Sequence, residues 1–204
     1  TRTISSAASD VYKRQPGIDS AEEALDLISS SIQEAGYEVD KDVTFALDCA
    51  ATELLKNKKY VFSNNEKLSS DELIEYLSNL ADKYPITSVE DGLDENDWVG
   101  WESLTKKLGN KTQLVGDDLF VTNKDILQEG IDRNIANSVL VKINQIGTIS
   151  ETFETICLAY QHNYKCVISH RSGETEDNFI ADLAVGTGAG QIKTGAPSRS
   201  DSCL

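Results

Sequence analysis

Residues 86–118 have the sequence ITSVEDGLDENDWVGWESLTKKLGNKTQLVGDD, and this stretch decides the fold. It contains two short runs that we predict to be strands, ITSV and TQLV, each followed by acidic residues, with an amphipathic segment between them that we predict to be a helix ending at Gly109. The runs lack the polar–apolar alternation of a strand with one solvated face, so they predict parallel strands covered on both faces. Strand, helix and strand in this order predict a βαβ unit.

Strands and helices alternate along the chain on both sides of this unit. We predict further strands at VTFALDCA, SVLVK, KCVIS and QIKTG, and helices that begin after Ser20, with Glu23 at the capping-box position, and at Ser69–Ser70. Six βα steps of roughly 25–30 residues fit a (β/α)-barrel or a doubly wound sheet. No G-x-G-x-x-G motif follows the first strand, and VGTGAGQ comes after a helix rather than a strand. We therefore expect an α/β fold of the (β/α)-barrel type.

The charge balance excludes some classes of partner. Lys and Arg number 19 against 34 Asp and Glu, for a net charge of −15 over 204 residues. This balance argues against nucleic acid and anionic membranes as partners, although a local pocket can still take a small anionic substrate. No apolar run approaches the roughly 18 residues of a membrane span, and no signal peptide is visible. We expect a cytoplasmic protein.

The cysteines do not form a metal-binding pattern. Cys49, Cys157, Cys166 and Cys203 include no C-x-x-C pair, and the chain has only two His. This spacing argues against a structural zinc site. We expect small buried thiols in a reducing compartment.

Ionisable residues stand where each predicted parallel strand ends. The steps between successive strand ends are 42, 27, 25, 28 and 23 residues. In a (β/α)-barrel the carboxyl ends of the strands form the active-site face, so we expect these side chains to share one rim. The strand-end residues are Asp48, Glu90 with Asp91, Asp117 with Asp118, Lys142, the run Ser169, His170, Arg171 and Ser172, and Lys193.

The acidic and the basic residues of this rim indicate different chemical roles. Three carboxylates from separate strands, Asp48, Glu90 and Asp117, are hard oxygen ligands that suit Mg²⁺, and we favour metal binding for them. The alternative is N-capping of the following helix, which is strongest for Asp91 and Asp118.

Lys142 follows an apolar run. A partly buried lysine near other cations and a metal is suited to act as a general base, and we favour this role for Lys142. The alternative role for Lys142 is a structural salt bridge to a carboxylate. His170, Arg171, Ser172 and Lys193 offer donors for a doubly anionic substrate.

Several long motifs carry a family resemblance. LDCAATE, SVEDGLDENDW, LVGDDLFVTN, VLVKINQIGTISET, VISHRSGETEDNFIADLAVG and QIKTGAPSRSD resemble, in this order and at compatible spacings, the motifs of the enolases, the phosphopyruvate hydratases of glycolysis. The resemblance covers residues 16–201, and the SVEDGLDE motif is similar to the corresponding motif of bacterial members of the family. It implies an enolase-type barrel that is incomplete, with about six of the eight βα units present.

The resemblance also implies roles for the strand-end residues. Asp48, Glu90 and Asp117 match the ligands of the catalytic Mg²⁺, and Lys142 matches the base that removes the C2 proton of 2-phosphoglycerate. Ser169, His170, Arg171 and Ser172 match the segment over the substrate, with Arg171 and Ser172 at its phosphate, and Lys193 matches the lysine beside its carboxylate. A Lys base paired with Mg²⁺ is the known arrangement of the enolase superfamily, not a new inference.

The chain also departs from the family pattern. The Asp-Glu-Gly-Gly motif that carries the family's general acid is expected just before Pro16, where TRTISSAASDVYKRQ stands instead. We expect residues 1–15 to be non-homologous or disordered, residues 16–201 to be a partial enolase barrel domain, and residues 202–204 to be a tail. The chain has no Met, so we expect a fragment, and because the general-acid motif is missing we expect this fragment to be inactive alone.

Three functional hypotheses follow for the parent protein. The first is an enolase that interconverts 2-phosphoglycerate and phosphoenolpyruvate, with homo-oligomers as in the family. The second is another Mg-dependent lyase or isomerase of the superfamily that abstracts a proton α to a different carboxylate. The third is a non-catalytic binding role, since enolases also serve as surface-associated or complex-bound proteins.

Overall fold

The computed structural model describes residue 18, residues 20–171 and residues 177–195. These residues form two compact units. The first unit comprises Ile18–Leu119 and Glu129–Asn137, and the described part of the second comprises residues 120–128, 138–171 and 177–195. The predicted segment 1–15, the tail 202–204, Ser172 and Cys203 lie outside the described residues, so the predicted domain boundaries stay a prediction.

Helices and strands alternate in both units as the sequence predicts. The elements of the first unit are α1 (Ala21–Glu34), β1 (Phe45–Asp48), α2 (Ala51–Leu54), β2 (Leu55–Lys56), β3 (Lys59–Val61), β4 (Lys67–Leu68), α3 (Ser70–Lys83), β5 (Ile86–Glu90), α4 (Trp98–Leu108) and β6 (Gln113–Gly116). Helix α5 (Lys124–Asp132) contributes residues to both units. The second unit continues with β7 (Ser138–Val141), α6 (Ile143–Ile146), α7 (Ile149–Gln161), β8 (Lys165–Ser169), α8 (Phe179–Gly186) and β9 (Ile192–Lys193).

In the first unit, strand β5 pairs in parallel with β1 on one side and β6 on the other. Val89 of β5 and Leu114 of β6 are almost fully buried, as expected for strands with both faces covered. Helices α3 and α4 pack against each other, and α3 also contacts β5. Their apolar faces supply much of the core: Leu73, Ile74, Leu77, Leu80, Trp101, Leu104 and Leu108.

A small antiparallel ribbon, β2–β3–β4, separates β1 from α3 along the chain. The tight turn between β2 and β3 places Asn57 and Lys58 in the left-handed region, with φ of 52° and 62°, as the twist of a two-residue hairpin requires. The sequence predicts only one short arm of this ribbon, around Tyr60–Phe62. Tyr60 is buried, and its hydroxyl accepts a hydrogen bond from the backbone N–H of Asp94 (3.0 Å).

The second unit repeats the parallel arrangement, with β8 paired to β7 and to β9. All four residues of β7 are buried. Cysteine burial differs between two residues of this unit. Cys166 of β8 is fully buried, and burial raises the pKa of its thiol to about 12. The prediction of buried thiols is therefore right for Cys166 but wrong for Cys157, which is exposed because it lies on the solvent face of α7.

None of the described helices is both long enough and apolar enough to span a bilayer.

Both predicted helix starts are confirmed by their caps. Ser20 caps α1 by accepting the N–H of Glu23 (3.1 Å). Ser69 caps α3, and its hydroxyl accepts the N–H of Glu72 while the Glu72 carboxylate accepts the N–H of Ser69 (2.7 Å). This reciprocal capping box satisfies two backbone donors that a helix otherwise leaves without partners.

The capping box predicts an acid-sensitive contribution to stability. Hydrogen bonds from the Ser69 side chain and backbone, and the nearby Lys59 ammonium, lower the pKa of Glu72 to about 2. A carboxylate whose folded-state pKa lies below its unfolded value stabilises the fold above the unfolded pKa and loses that effect as pH falls through the folded one. We therefore expect Glu72→Gln to lower the urea midpoint at pH 6, with the gap closing from about pH 4.5 to 2.

Glu34→Gln serves as the matched control because Glu34 is also an exposed glutamate but lies at the last position of α1. A constant difference between the chain and Glu72→Gln down to pH 2 would contradict this account of the box.

Candidate active site

The predicted metal ligands lie at the same edge of the first unit's parallel sheet. In the β1–β5 register Asp48 is the partner of Glu90, and in the β5–β6 register Glu90 is the partner of Val115, two residues before Asp117. Adjacent strands lie about 4.8 Å apart, so the strand ends that carry the three carboxylates are neighbours. Glu90 and Asp117 are buried, whereas Asp48 is exposed.

Among the described residues, one cluster of acidic side chains converges closely enough to hold a cation. It consists of Asp91, Asp117 and Asp118, each with a carboxylate oxygen within 4.8 Å of the others. The cluster shares Asp117 with the predicted ligand set, while Asp48 and Glu90 lie outside it. The donor set at this edge is made of carboxylate oxygens, which fit Mg²⁺. The assignment of Asp48, Glu90 and Asp117 stays a prediction.

Asp91 connects the strand ends instead of capping a helix. Its carboxylate accepts the backbone N–H groups of Asp117 (2.9 Å) and Asp118 (2.8 Å). The capping alternative is wrong for Asp91 and Asp118 because Asp97 caps α4 and the side chain of Asn123 accepts the first N–H groups of α5.

Burial dominates the electrostatics of Asp91. Only 5% of the residue is exposed, and this desolvation raises the pKa of its carboxyl to about 7. The two backbone N–H donors oppose the shift because they favour the charged form, whereas the nearby negative charges of Asp117 and Asp118 add to it.

The predicted base, Lys142, follows β7 in the second unit, and its side chain is half-buried. The backbone N–H of Lys142 donates a hydrogen bond to the hydroxyl of Thr122 (2.9 Å). The Thr122 hydroxyl donates in turn to the carbonyl of Leu140 (3.2 Å). The carbonyl of Thr122 accepts a hydrogen bond from the buried Thr155 hydroxyl (2.8 Å). Fully buried Thr122 therefore fixes the backbone from which Lys142 extends.

The predicted substrate-binding residues of the second unit meet at the β8–β9 pair. Ser169 is the register partner of Lys193, and the backbone N–H of His170 donates to the carbonyl of Lys193 (2.9 Å). Ser169 is buried, and its hydroxyl donates to the carbonyl of His170 (2.7 Å). Arg171 is exposed. Ser172, the last of the predicted donors, lies outside the described residues.

The sequence does not predict the contacts of two residues, one in each unit. For Asp91 it offers N-capping as the alternative to metal binding, and it gives no role to Thr122. The available signal for Asp91 was its place in the acidic pair of SVED, directly after a predicted ligand on a buried strand. Thr122 carried no comparable signal, since a threonine in a loop is most often solvated.

Comparison with known proteins gives consistent matches. Residues 3–203 match a family model described as "Enolase, C-terminal TIM barrel domain", a range that includes most of residues 1–15. Proteins named enolase from Legionella pneumophila are 57% (strain Paris) and 58% (strain Lens) identical over 199 residues. Each match covers 97% of this chain and 47% of the relative, so the chain spans about half the length of these curated relatives.

These matches confirm the predicted fold class. The described strands β1, β5, β6, β7, β8 and β9 pair in parallel within their units and alternate with helices, as in an incomplete (β/α)-barrel of the matched type.

Proposed function

Because the chain belongs to the enolase family, as a C-terminal TIM-barrel domain, we propose that its parent protein catalyses the Mg²⁺-dependent, reversible dehydration of 2-phosphoglycerate to phosphoenolpyruvate. The observation that carries the proposal is the placement of acidic residues at neighbouring strand ends in one unit and of Lys142, His170 and Lys193 at the ends of neighbouring strands in the other. An acidic ligand set and separate cationic groups suit a doubly anionic substrate bound with a metal.

In this proposal Asp48, Glu90 and Asp117 hold Mg²⁺. When bound, the ion stabilises negative charge that develops on the substrate carboxylate. The strand-end position of these residues supports the assignment, since strand ends are rigid and hold ligands at fixed distances.

Lys142 acts as the base in the proposed reaction. It takes the proton from C2, and the electron pair of that C–H bond moves toward the carboxylate, whose oxygens gain negative charge. The ammonium of Lys193 stabilises these oxygens where the charge develops. The C3–O bond then breaks and a double bond forms between C2 and C3. The leaving hydroxide takes a proton from a general acid of the parent protein, which the family carries in its Asp-Glu-Gly-Gly motif, and becomes water.

Ser169, His170, Arg171 and Ser172 bind and orient the substrate in this proposal. A guanidinium can make two parallel hydrogen bonds to phosphate, which suits Arg171 to the phosphoryl group. The hydrogen bonds that tie His170 to β9 and Ser169 to His170 support a rigid backbone beneath this segment. We further propose a cytoplasmic, homo-oligomeric parent protein with a small-molecule substrate, in line with the family.

An activity assay on the full-length parent protein tests the function. We expect phosphoenolpyruvate to form from 2-phosphoglycerate with a turnover within the ordinary enzyme range of about 1–10³ s⁻¹. Removal of metal with EDTA is expected to abolish turnover, and excess Mg²⁺ to restore it. Glycerate, which lacks the phosphate, is the matched control substrate and should not react.

The other hypotheses make different predictions in the same assay. Turnover of a different carboxylate, with none of 2-phosphoglycerate, would favour another lyase or isomerase of the superfamily. No turnover of any carboxylate at saturating Mg²⁺ would favour a non-catalytic binding role.

A further inference from the structure

Asp91 uses its backbone and its side chain to join three strand ends of the first unit. Its N–H donates to the carbonyl of Val115 at the end of β6 (3.0 Å), and its carbonyl accepts the N–H of Ala51 just after β1 (3.1 Å). Its carboxylate oxygens accept the N–H groups of Asp117 (2.9 Å) and Asp118 (2.8 Å), one on each oxygen. These four hydrogen bonds connect the segments that carry Asp48, Glu90 and Asp117.

The backbone conformation makes this connection possible. Asp91 has a φ of 44°, in the left-handed region, so the chain turns sharply directly after Glu90. This turn brings the Asp91 side chain to the backbone beyond β6. Aspartate is one of the few residues that tolerate this region. A neighbouring contact strengthens the join, because the N–H of Cys49 donates to the carbonyl of Glu90 (2.9 Å).

We propose that Asp91 is a positioning residue that holds the backbone of Asp117 so that this ligand and Glu90 meet the same Mg²⁺ ion. The proposal rests on the proposed function, which assigns the metal to Asp48, Glu90 and Asp117. Hydrogen-bonded partners of metal ligands fix the ligands' orientation, and removing one costs metal affinity although the partner never touches the ion. Asp91 is such a partner, because it is buried and both of its carboxylate oxygens accept hydrogen bonds from backbone N–H groups.

The central test compares two substitutions that remove the same charge. Asp91→Asn and Asp118→Asn each remove one negative charge from the acidic cluster, but only Asp91→Asn replaces an acceptor oxygen with an NH₂ group that faces a backbone N–H. We expect calorimetric titration of the 204-residue chain with MgCl₂ to show affinity about 10–100-fold weaker in Asp91→Asn. The loss in Asp118→Asn should be clearly smaller.

The outcomes separate this proposal from the proposed function. Equal losses in the two variants, or unchanged affinity in Asp91→Asn, would overturn the positioning role and leave the metal site intact. If the unaltered chain fails to bind Mg²⁺, the proposed metal site itself fails, and the positioning role with it.

A second measurement needs no substitution and covers the case in which Asp91→Asn does not fold. Scalar couplings across hydrogen bonds, measured by NMR on the isotope-labelled chain, should link the side-chain carboxyl carbon of Asp91 to the backbone nitrogens of Asp117 and Asp118. Missing couplings, together with fast amide exchange at these two residues, would overturn the proposal.

Discussion

Lys142→Ala, made in the full-length parent protein, is expected to slow exchange of the C2 proton of 2-phosphoglycerate with solvent by about 10²–10⁴-fold, the usual cost of losing a positioned base. Mg²⁺ binding should persist, because no metal ligand is changed. The physical reason is that a proton next to a carboxylate is very weakly acidic, so its removal depends on a base fixed in place. The hydrogen bond from the backbone N–H of Lys142 to the Thr122 hydroxyl holds the Lys142 backbone in position, which supports this role. Exchange is followed by NMR in D₂O.

The matched control for this variant is Lys165→Ala. Lys165 is also a lysine on a parallel strand of the second unit, but it stands at the first position of β8 and is exposed. Residues at the amino ends of barrel strands contribute to stability and not to catalysis, so exchange in Lys165→Ala should equal that of the parent. Near-parental exchange in Lys142→Ala would assign the base to another residue.

The fold was predictable because its strands and helices follow local rules. The runs that end at Glu90 and at Gly116 lack polar–apolar alternation and so predict parallel strands, and both strands form. The caps at Ser20 and Ser69 are equally local, since a side chain and a backbone donor three residues away decide them. The β2–β3–β4 ribbon was predicted only in part because its strands are two or three residues long and carry no periodicity.

The strand-end positions of the candidate site residues were predictable from the sequence, but the contacts that support them were not. The strand-end positions of Glu90 and Asp117 follow from the acidic residues that come directly after the predicted strands, which can be read from the sequence. The contact from Asp91 to the backbone beyond β6 crosses 26 residues and depends on a left-handed turn, which no residue spacing encodes. The hydrogen bond between Lys142 and Thr122 likewise joins residues that are 20 positions apart. It depends on the path of the loop between β6 and α5, which residue spacing does not encode.

The second large effect concerns Trp101, whose side chain links the core to the loop beyond β5. The residue lies on α4 and is fully buried, and its indole N–H donates to the carbonyl of Asp94 (3.2 Å). Asp94 lies in the same loop as Asp91, and its backbone N–H donates a hydrogen bond to the buried Tyr60 hydroxyl. Loss of the indole would leave both a large cavity and a buried carbonyl without its donor, and these two costs add.

Trp101→Ala is therefore expected to lower the free energy of unfolding by about 3–5 kcal/mol, a large part of the roughly 5–15 kcal/mol that stabilises an ordinary domain. Trp98→Ala is the matched control. Trp98 lies on the same helix but is only half-buried, with the Arg133 Cζ atom 5.1 Å from the centre of its ring. We therefore expect Trp98→Ala to lower the free energy of unfolding by only about 1–2 kcal/mol. Urea unfolding followed by circular dichroism measures both, because fluorescence would change with either tryptophan. Equal losses in the two variants would contradict a central packing role for Trp101.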